Sequence, residues 1–288
     1  MTERTPNEAR IKNLQAILAE DAVRQLADGV TMLATLPETY LALSRAANDA
    51  HSSAAEIARI VERDPAVSAR LLQLVNSTFF GISKRTSSIQ KAVNMLGTHL
   101  LKSLVLSAHM SSAIDLAPTR FFSMPRYQSY SIRVARLARL FAGARESADE
   151  AFTAGIMSGI GQIVFALRAP KQFEKVLARV AATGELQQDV EREVFGTSHA
   201  EVGAYLLSTW GIPFEIVECV ALHQRPRDAG AGDCELLALV HAAGALARIV
   251  ICHEPESQLD LDFLARAGMV VEVPKWRRMT ETACAENG

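Results

Sequence analysis

The sequence predicts an all-α protein. Leucine and alanine dominate a composition in which aromatics make up only 6%, and both residues lose little freedom on entering a helix. Apolar residues recur at helical spacing. Ile89, Ala92, Val93 and Leu96 stand at i, i+3, i+4 and i+7, and Tyr127, Tyr130, Val134, Leu137 and Phe141 follow one another at steps of three and four. No stretch alternates apolar and polar residues as a strand would, and no tandem repeat is visible.

The elements follow in order. Residues 1–33 are polar-rich and predict a separate leading helix that breaks at Asp28-Gly29. Residues 34–118 predict a first helical subdomain. Within it, Ser53 with Glu56 reads as a capping box, and Asp64 before Pro65 reads as an N-cap followed by proline at the first helical position. Asn76 and Ser77 end a helix, and Gly97 is expected to end the next, with Thr98 capping its successor. Residues 114–126 carry two prolines and predict a connection. The second subdomain, 119–252, contains a further capping-box pattern at Ser198 and Glu201 and a stop-and-start signal at Gly211 and Pro213. A break at His253–Gln258 introduces a charged C-terminal tail, so 253–288 is read as a helical tail.

The chain has 288 residues, 49% of them hydrophobic, which is enough to bury a sizeable core. Thirty basic and 32 acidic residues give a net charge of −2. No global field attracts nucleic acid or an anionic surface, so nucleic acid is not expected as a partner. The cysteines, Cys219, Cys234, Cys252 and Cys284, form no CxxC pair and read as reduced thiols. The first residues, MTERTPNEARIKN, lack the apolar core of a signal peptide. No apolar run is judged to approach the ~20 residues needed to span a bilayer. A cytoplasmic protein with no membrane partner is expected.

Two long segments carry a family resemblance. Asp64–Ser107 reads DPAVSARLLQLVNSTFFGISKRTSSIQKAVNMLGTHLLKSLVLS. The pair Asn76-Ser77 is followed by Phe79 and Phe80, then by Ser88-Ile89 and a helix closing on Leu96-Gly97. Ser198–Pro226 reads SHAEVGAYLLSTWGIPFEIVECVALHQRP, with His199, Gly203, Trp210, Pro213 and His223 in order. Together they resemble the HDOD family, whose domains are relatives of the HD-type metal-dependent phosphohydrolases. The resemblance covers roughly residues 36–247. It implies two packed helical subdomains, the second an HD-like bundle, and a role in bacterial signal transduction.

The HD fold is named for a His-Asp pair that binds divalent metal, with a His on an earlier helix and an Asp on a later one. Imidazole and carboxylate are needed to hold the ion while it activates water. In the segment AGIMSGIGQIVF, Ser158 and Gly159 occupy the place of the pair. Tyr130 stands where the first His is expected, and Gly244 where the last Asp is expected. The resemblance thus implies a degenerate site with no catalytic residue, no metal ligand and no cofactor. The Ser-x-Gly-Ile-Gly glycines have a simpler reading as close helix contacts.

Other residues have two readings each. His199, Glu201 and His223 line a remnant pocket or cap and pack helix ends. Arg126, Arg133, Arg136 and Arg139, with Lys84 and Arg85, make a basic surface for a nucleotide or acidic partner, or a solvated face. Phe79 and Phe80 form a docking knob or plug an interface, and Phe121 and Phe122 share that ambiguity. Trp276 reads as an anchor for the last helix, and Cys219 and Cys252 as buried small residues. Neither GxxxxGK[ST] nor GxGxxG occurs. The expected role is a regulator or adaptor acting on other signalling proteins, namely kinases, receivers or cyclic-dinucleotide enzymes. A small-molecule ligand in the cleft around Tyr130, Ser158 and His223 is the gating hypothesis. A cyclic-dinucleotide sensor and a residual phosphohydrolase are the alternatives.

Overall fold

The structure is a computed structural model that describes residues 8–28, 30, 36–47, 49, 52–77, 86–113, 116–229, 234–252 and 258–285. Among these there is no strand. The chain forms two compact units, one from Thr35–Ala117 and the other from Met1–Ala34 with Pro118–Glu286. Each is described by itself.

The smaller unit contains α3 (Glu38–Ala47), α4 (Ala54–Glu62), α5 (Pro65–Val75) and α6 (Ile89–Ala113), with α6 packed on the other three. Both expected starts form. Ser53 and Glu56 close a capping box, the Ser53 N–H donating to Glu56 at 2.7 Å and the Glu56 N–H to Ser53 Oγ at 3.2 Å. Asp64 accepts from the N–H groups of Ala66 and Val67. At the end of α5, the Asn76 amide pairs with the Thr86 backbone in both directions, at 2.8 and 2.7 Å. That pair ties the end of α5 to the residues that lead into α6. Ser77 Oγ donates to Leu74 O at 2.6 Å. Gly97 differs from expectation: it kinks α6 at φ 77° and the helix resumes beyond it. Only glycine enters that conformation at low cost. Leu43, Val61, Leu71, Leu101 and Leu104 are fully buried. Phe79, Phe80, Lys84 and Arg85, proposed as an interaction surface, lie outside the described residues.

The larger unit is built on α7 (Met124–Ala142), α8 (Ala148–Met157), α9 (Gly161–Arg168), α10 (Pro170–Thr183), α11 (Gln187–Phe195), α12 (His199–Thr209), α13 (Phe214–Leu222) and α14 (Glu235–Cys252). Helices α1 (Glu8–Leu18) and α2 (Asp21–Ala27) pack on α12, and α15 (Leu261–Arg266) and α16 (Val273–Ala285) complete it. The described parts of the expected extension and tail therefore share one unit with the bundle. Arg10 of α1 grips the buried Glu218 of α13 with two nitrogens. Trp276 of α16, 1% exposed, stacks on Phe141 of α7 at 5.0 Å and 14°, which is the anchor the sequence suggested.

Glycine sets two helix contacts. A Cβ on Gly155 would meet Ala135 Cα at 2.8 Å, so α8 lies against α7 at backbone distance. A Cβ on Gly161 would meet the His199 carbonyl oxygen at 2.0 Å, so α9 meets the start of α12 the same way. The expectation that no run approaches spanning length is corrected. Ala148–Arg168, 21 residues, is long and apolar enough by composition. It is broken between α8 and α9, and 78% of its most apolar window is buried inside the protein.

Two outcomes are expected in urea unfolding. Gly161→Ala forces a side chain into a backbone oxygen that cannot yield locally. It lowers stability by more than the ~1–3 kcal/mol usual for overpacking. Trp276→Ala empties a buried stacked position and costs about 3–5 kcal/mol. A loss under about 1 kcal/mol in either would contradict these contacts.

Candidate functional site

The four positions matched to lost metal ligands meet in one cleft of the larger unit. Tyr130 projects from α7, Ser158 and Gly159 follow α8, and Gly244 lies on α14; all four line a cavity of about 30 Å³. The Tyr130 hydroxyl donates to Gly244 O at 3.4 Å and accepts from Arg248 Nε at 3.1 Å. Ser158 donates its hydroxyl to Gly155 O at 2.9 Å, back into its own helix. A Cβ on Gly244 would meet nothing within 4 Å, whereas one on Gly159 would press the Tyr127 ring at 3.1 Å.

His199 and His223 line the same cleft, with ring centroids 5.8 Å apart. His199, the first residue of α12, donates Nδ1–H to Glu191 at 2.7 Å, and its backbone N–H donates to the same carboxylate at 2.9 Å. Glu191 is fully buried and also accepts from Gln187 at 2.7 Å. Across the ring, His199 Nε2 lies 3.2 Å from Gln224 Nε2. Since Nδ1 carries the proton toward the carboxylate, Nε2 accepts from the amide.

His223 ends α13 and is 8% exposed. Its Nδ1–H donates to Val220 O at 2.8 Å, which leaves Nε2 a bare lone pair with no hydrogen-bond partner among the described residues. Burial first, then the positive field of neighbours including Arg248, pushes its pKa down to about 3. His241 is likewise lowered by burial and is used on both sides. Its Nδ1–H donates to His223 O at 2.8 Å, and its Nε2 accepts from the Asp260 N–H at 2.9 Å.

Glu201 is not among the lining residues. Its carboxylate accepts from the Ser198 N–H and the Thr197 hydroxyl, each at 2.8 Å, and is paired with Arg192. The capping reading therefore holds for Glu201, and the pocket reading does not. Arg133 and Arg136 are half-buried on α7 rather than on a solvated arc, while Arg139 is exposed and pairs with Asp149 at 3.2 Å. Cys219 is buried, and burial raises its thiol pKa, as for an inert residue.

Sequence reasoning missed Gln162, Gln224, His241, Arg248 and Gln258, which also line the cleft. A signal was present for two of them. His241, Gly244, Ala245 and Arg248 stand at i, i+3, i+4 and i+7 on α14, one face of a helix. The glutamines carry no such signal, because three separate elements bring them together.

The residues present do not suit a catalytic divalent ion. Among the described residues no Asp or Glu lines the cleft, Arg248 adds a positive charge, and of the three lining imidazoles only His223 offers an uncommitted nitrogen. Among the described residues, no group of three His, Cys, Asp or Glu could hold a metal. No step is derived through such an ion.

An all-helical fold with a bundle of this kind defines the class, and comparison with known proteins places the chain within it. The HDOD domain profile matches residues 33–226. The chain belongs to the HDOD domain family. An HDOD domain protein of unknown function from Geobacter sulfurreducens is similar at a TM-score of 0.71, 22% identical, covering 95% of this chain and 94% of that one. A supposed signal transduction protein from Marinobacter aquaeolei gives a TM-score of 0.69 at 18% identity, covering 100% and 67%. A supposed phosphohydrolase from Shewanella amazonensis gives 0.65 at 21% identity, covering 94% and 100%. These likenesses bear on the fold alone. A curated Treponema pallidum protein of uncharacterised function is 24% identical over 245 residues, 83% of this chain. The chain spans about half the length of that relative, 47%.

The pH dependence of stability follows from His223. Its ring stays neutral in the folded chain down to about pH 3, whereas the unfolded chain takes up a proton near 6.5. This contribution is undiminished above pH 6.5 and is lost progressively as pH falls toward 3, with a slope approaching about 1.4 kcal/mol per unit. Urea unfolding at pH 7, 5.5 and 4.5 checks it. The slope should be shallower in His223→Gln than in the parent, and an equal slope would reject the assignment.

Proposed function

We propose that this chain is a non-catalytic signal-transduction regulator that works through contacts with other signalling proteins. The observation that carries the reading is the donor set of the cleft. Tyr130, Ser158, Gly159 and Gly244 converge where a metal would need imidazole and carboxylate, and they supply neither. Water activation at an ion requires anionic or imidazole ligands in number. Here the surrounding charge is positive, and the histidines are tied by hydrogen bonds to backbone and side-chain partners.

Membership of the HDOD family and the fold shared with a supposed signal transduction protein support a signalling role. The size of the cleft supports protein contact over nucleotide sensing. At about 30 Å³ the cleft is small for a ligand the size of a cyclic dinucleotide.

Two measurements test the reading. Calorimetric titration of the purified chain with Mn²⁺, Fe²⁺ and Zn²⁺ should detect no tight binding at the cleft, and Gly244→Val should leave the traces unchanged. Phosphomonoesters and phosphodiesters should show no turnover above buffer. Turnover that rises with metal and vanishes in His223→Gln would establish a hydrolase and overturn the proposal.

A further inference from the structure

The cleft carries a second inference, which stands without the regulator reading. We propose that it is a binding site for a primary carboxamide group, –CONH₂, placed with its NH₂ on His223 and its carbonyl oxygen toward Gln162 and Arg248.

His223 Nε2 is a lone-pair acceptor on a residue only 8% exposed, and it has no partner among the described residues. Its own Nδ1–H bond to Val220 fixes the tautomer, so Nε2 cannot become a donor by exchange of the ring proton. In the same wall, Gln224 Oε1 is buried and finds no hydrogen-bond partner. His223 Nε2 opens into the cleft and Gln224 Oε1 is buried without a partner, so a ligand that supplies donors there makes hydrogen bonds the protein leaves unmade. The side-chain amide of Gln162 likewise has no partner among the described residues and presents an NH₂ as well as a carbonyl. Arg248, with Nε on the Tyr130 hydroxyl, supplies the one charged side chain among the described lining residues.

The ligand must therefore carry at least two N–H or O–H donors and one good acceptor. Among the described lining residues a cation would meet Arg248 and no carboxylate. A deprotonated carboxylate has the right size and suits Arg248, but it sets lone pairs against His223 Nε2 and Gln224 Oε1. A carboxamide matches both sides, with two donors on one atom and an acceptor on the next. The cleft is also small, about 30 Å³, so it takes the polar head of a ligand rather than a large body. The group has two sources, a free small amide or the side chain of Asn or Gln on another chain.

The test uses the full chain labelled with ¹⁵N-histidine at pH 7, with the His223 signals identified by their loss in His223→Gln. Acetamide should shift His223 Nε2 saturably in the direction of an accepted hydrogen bond. Acetate should bind about tenfold more weakly or not at all. Gly244→Val, whose added Cβ meets open space, should abolish the acetamide response while the helical circular dichroism is retained. Blocked asparagine and glutamine derivatives distinguish the sources. Tighter binding than acetamide assigns the site to a partner's side chain, and weaker binding assigns it to a free amide. Acetate binding as well as acetamide, an acetamide response that survives Gly244→Val, or no saturable shift, as for a cleft that holds water alone, would each overturn the proposal.

Discussion

The backbone contact between Gly161 and His199 governs the geometry on which the site depends. The His199 carbonyl oxygen stands only 2.0 Å from where a Cβ on Gly161 would be. Helix α9 can therefore approach the start of α12 only because position 161 has no side chain. Gly203 of α12 repeats the condition from the other side, since a Cβ there would meet Ile160 Cγ2 at 2.9 Å and Gly161 N at 3.1 Å. With the two helices held at this distance, His199 is directed between them and its ring is clamped by Glu191. Packed interiors respond to single methyl groups because they contain few voids to absorb them.

A site that holds a divalent cation needs negative charge and open lone pairs. In this cleft most of the imidazole nitrogens are committed to hydrogen bonds within the protein. His241 joins the end of α13 to the start of α15, from the His223 carbonyl to the Asp260 N–H. His199 joins Glu191 to Gln224. Tyr130 meets Gly244 directly, so α7 and α14 are bonded to each other across the cleft. What remains is a neutral, acceptor-rich recess beside one arginine.

The terminal segments belong energetically to the larger unit. Arg10 reaches the buried Glu218 and lies over the Phe214 ring at 5.7 Å. Removing one partner of such a pair leaves the other charge buried and uncompensated, a large cost. Trp276 does the equivalent apolar work at the C-terminal end. Gln258 and Asp260, which precede α15, touch the cleft and the His241 ring, so the start of the tail is tied to the site wall.

The sequence by itself determined the helical class, many of the helix boundaries and the family. Those features are local: apolar spacing decides which face is buried, and caps such as Ser53–Glu56 and Asp64–Pro65 act within one turn. It also identified Tyr130, Ser158, Gly159, Gly244, His199 and His223, because motif order survives in one dimension. The tertiary structure alone decided that these six share one cleft. It turned Glu201 away into a cap and pair, and drew in Gln162, Gln224 and Arg248. The physical reason is distance along the chain. Tyr130 and Gly244 are 114 residues apart, and a contact between them depends on how the six intervening helices α8 to α13 pack, which no local spacing encodes. Gly97 shows the same limit on a smaller scale. A glycine permits both a stop and a kink, and packing chose the kink.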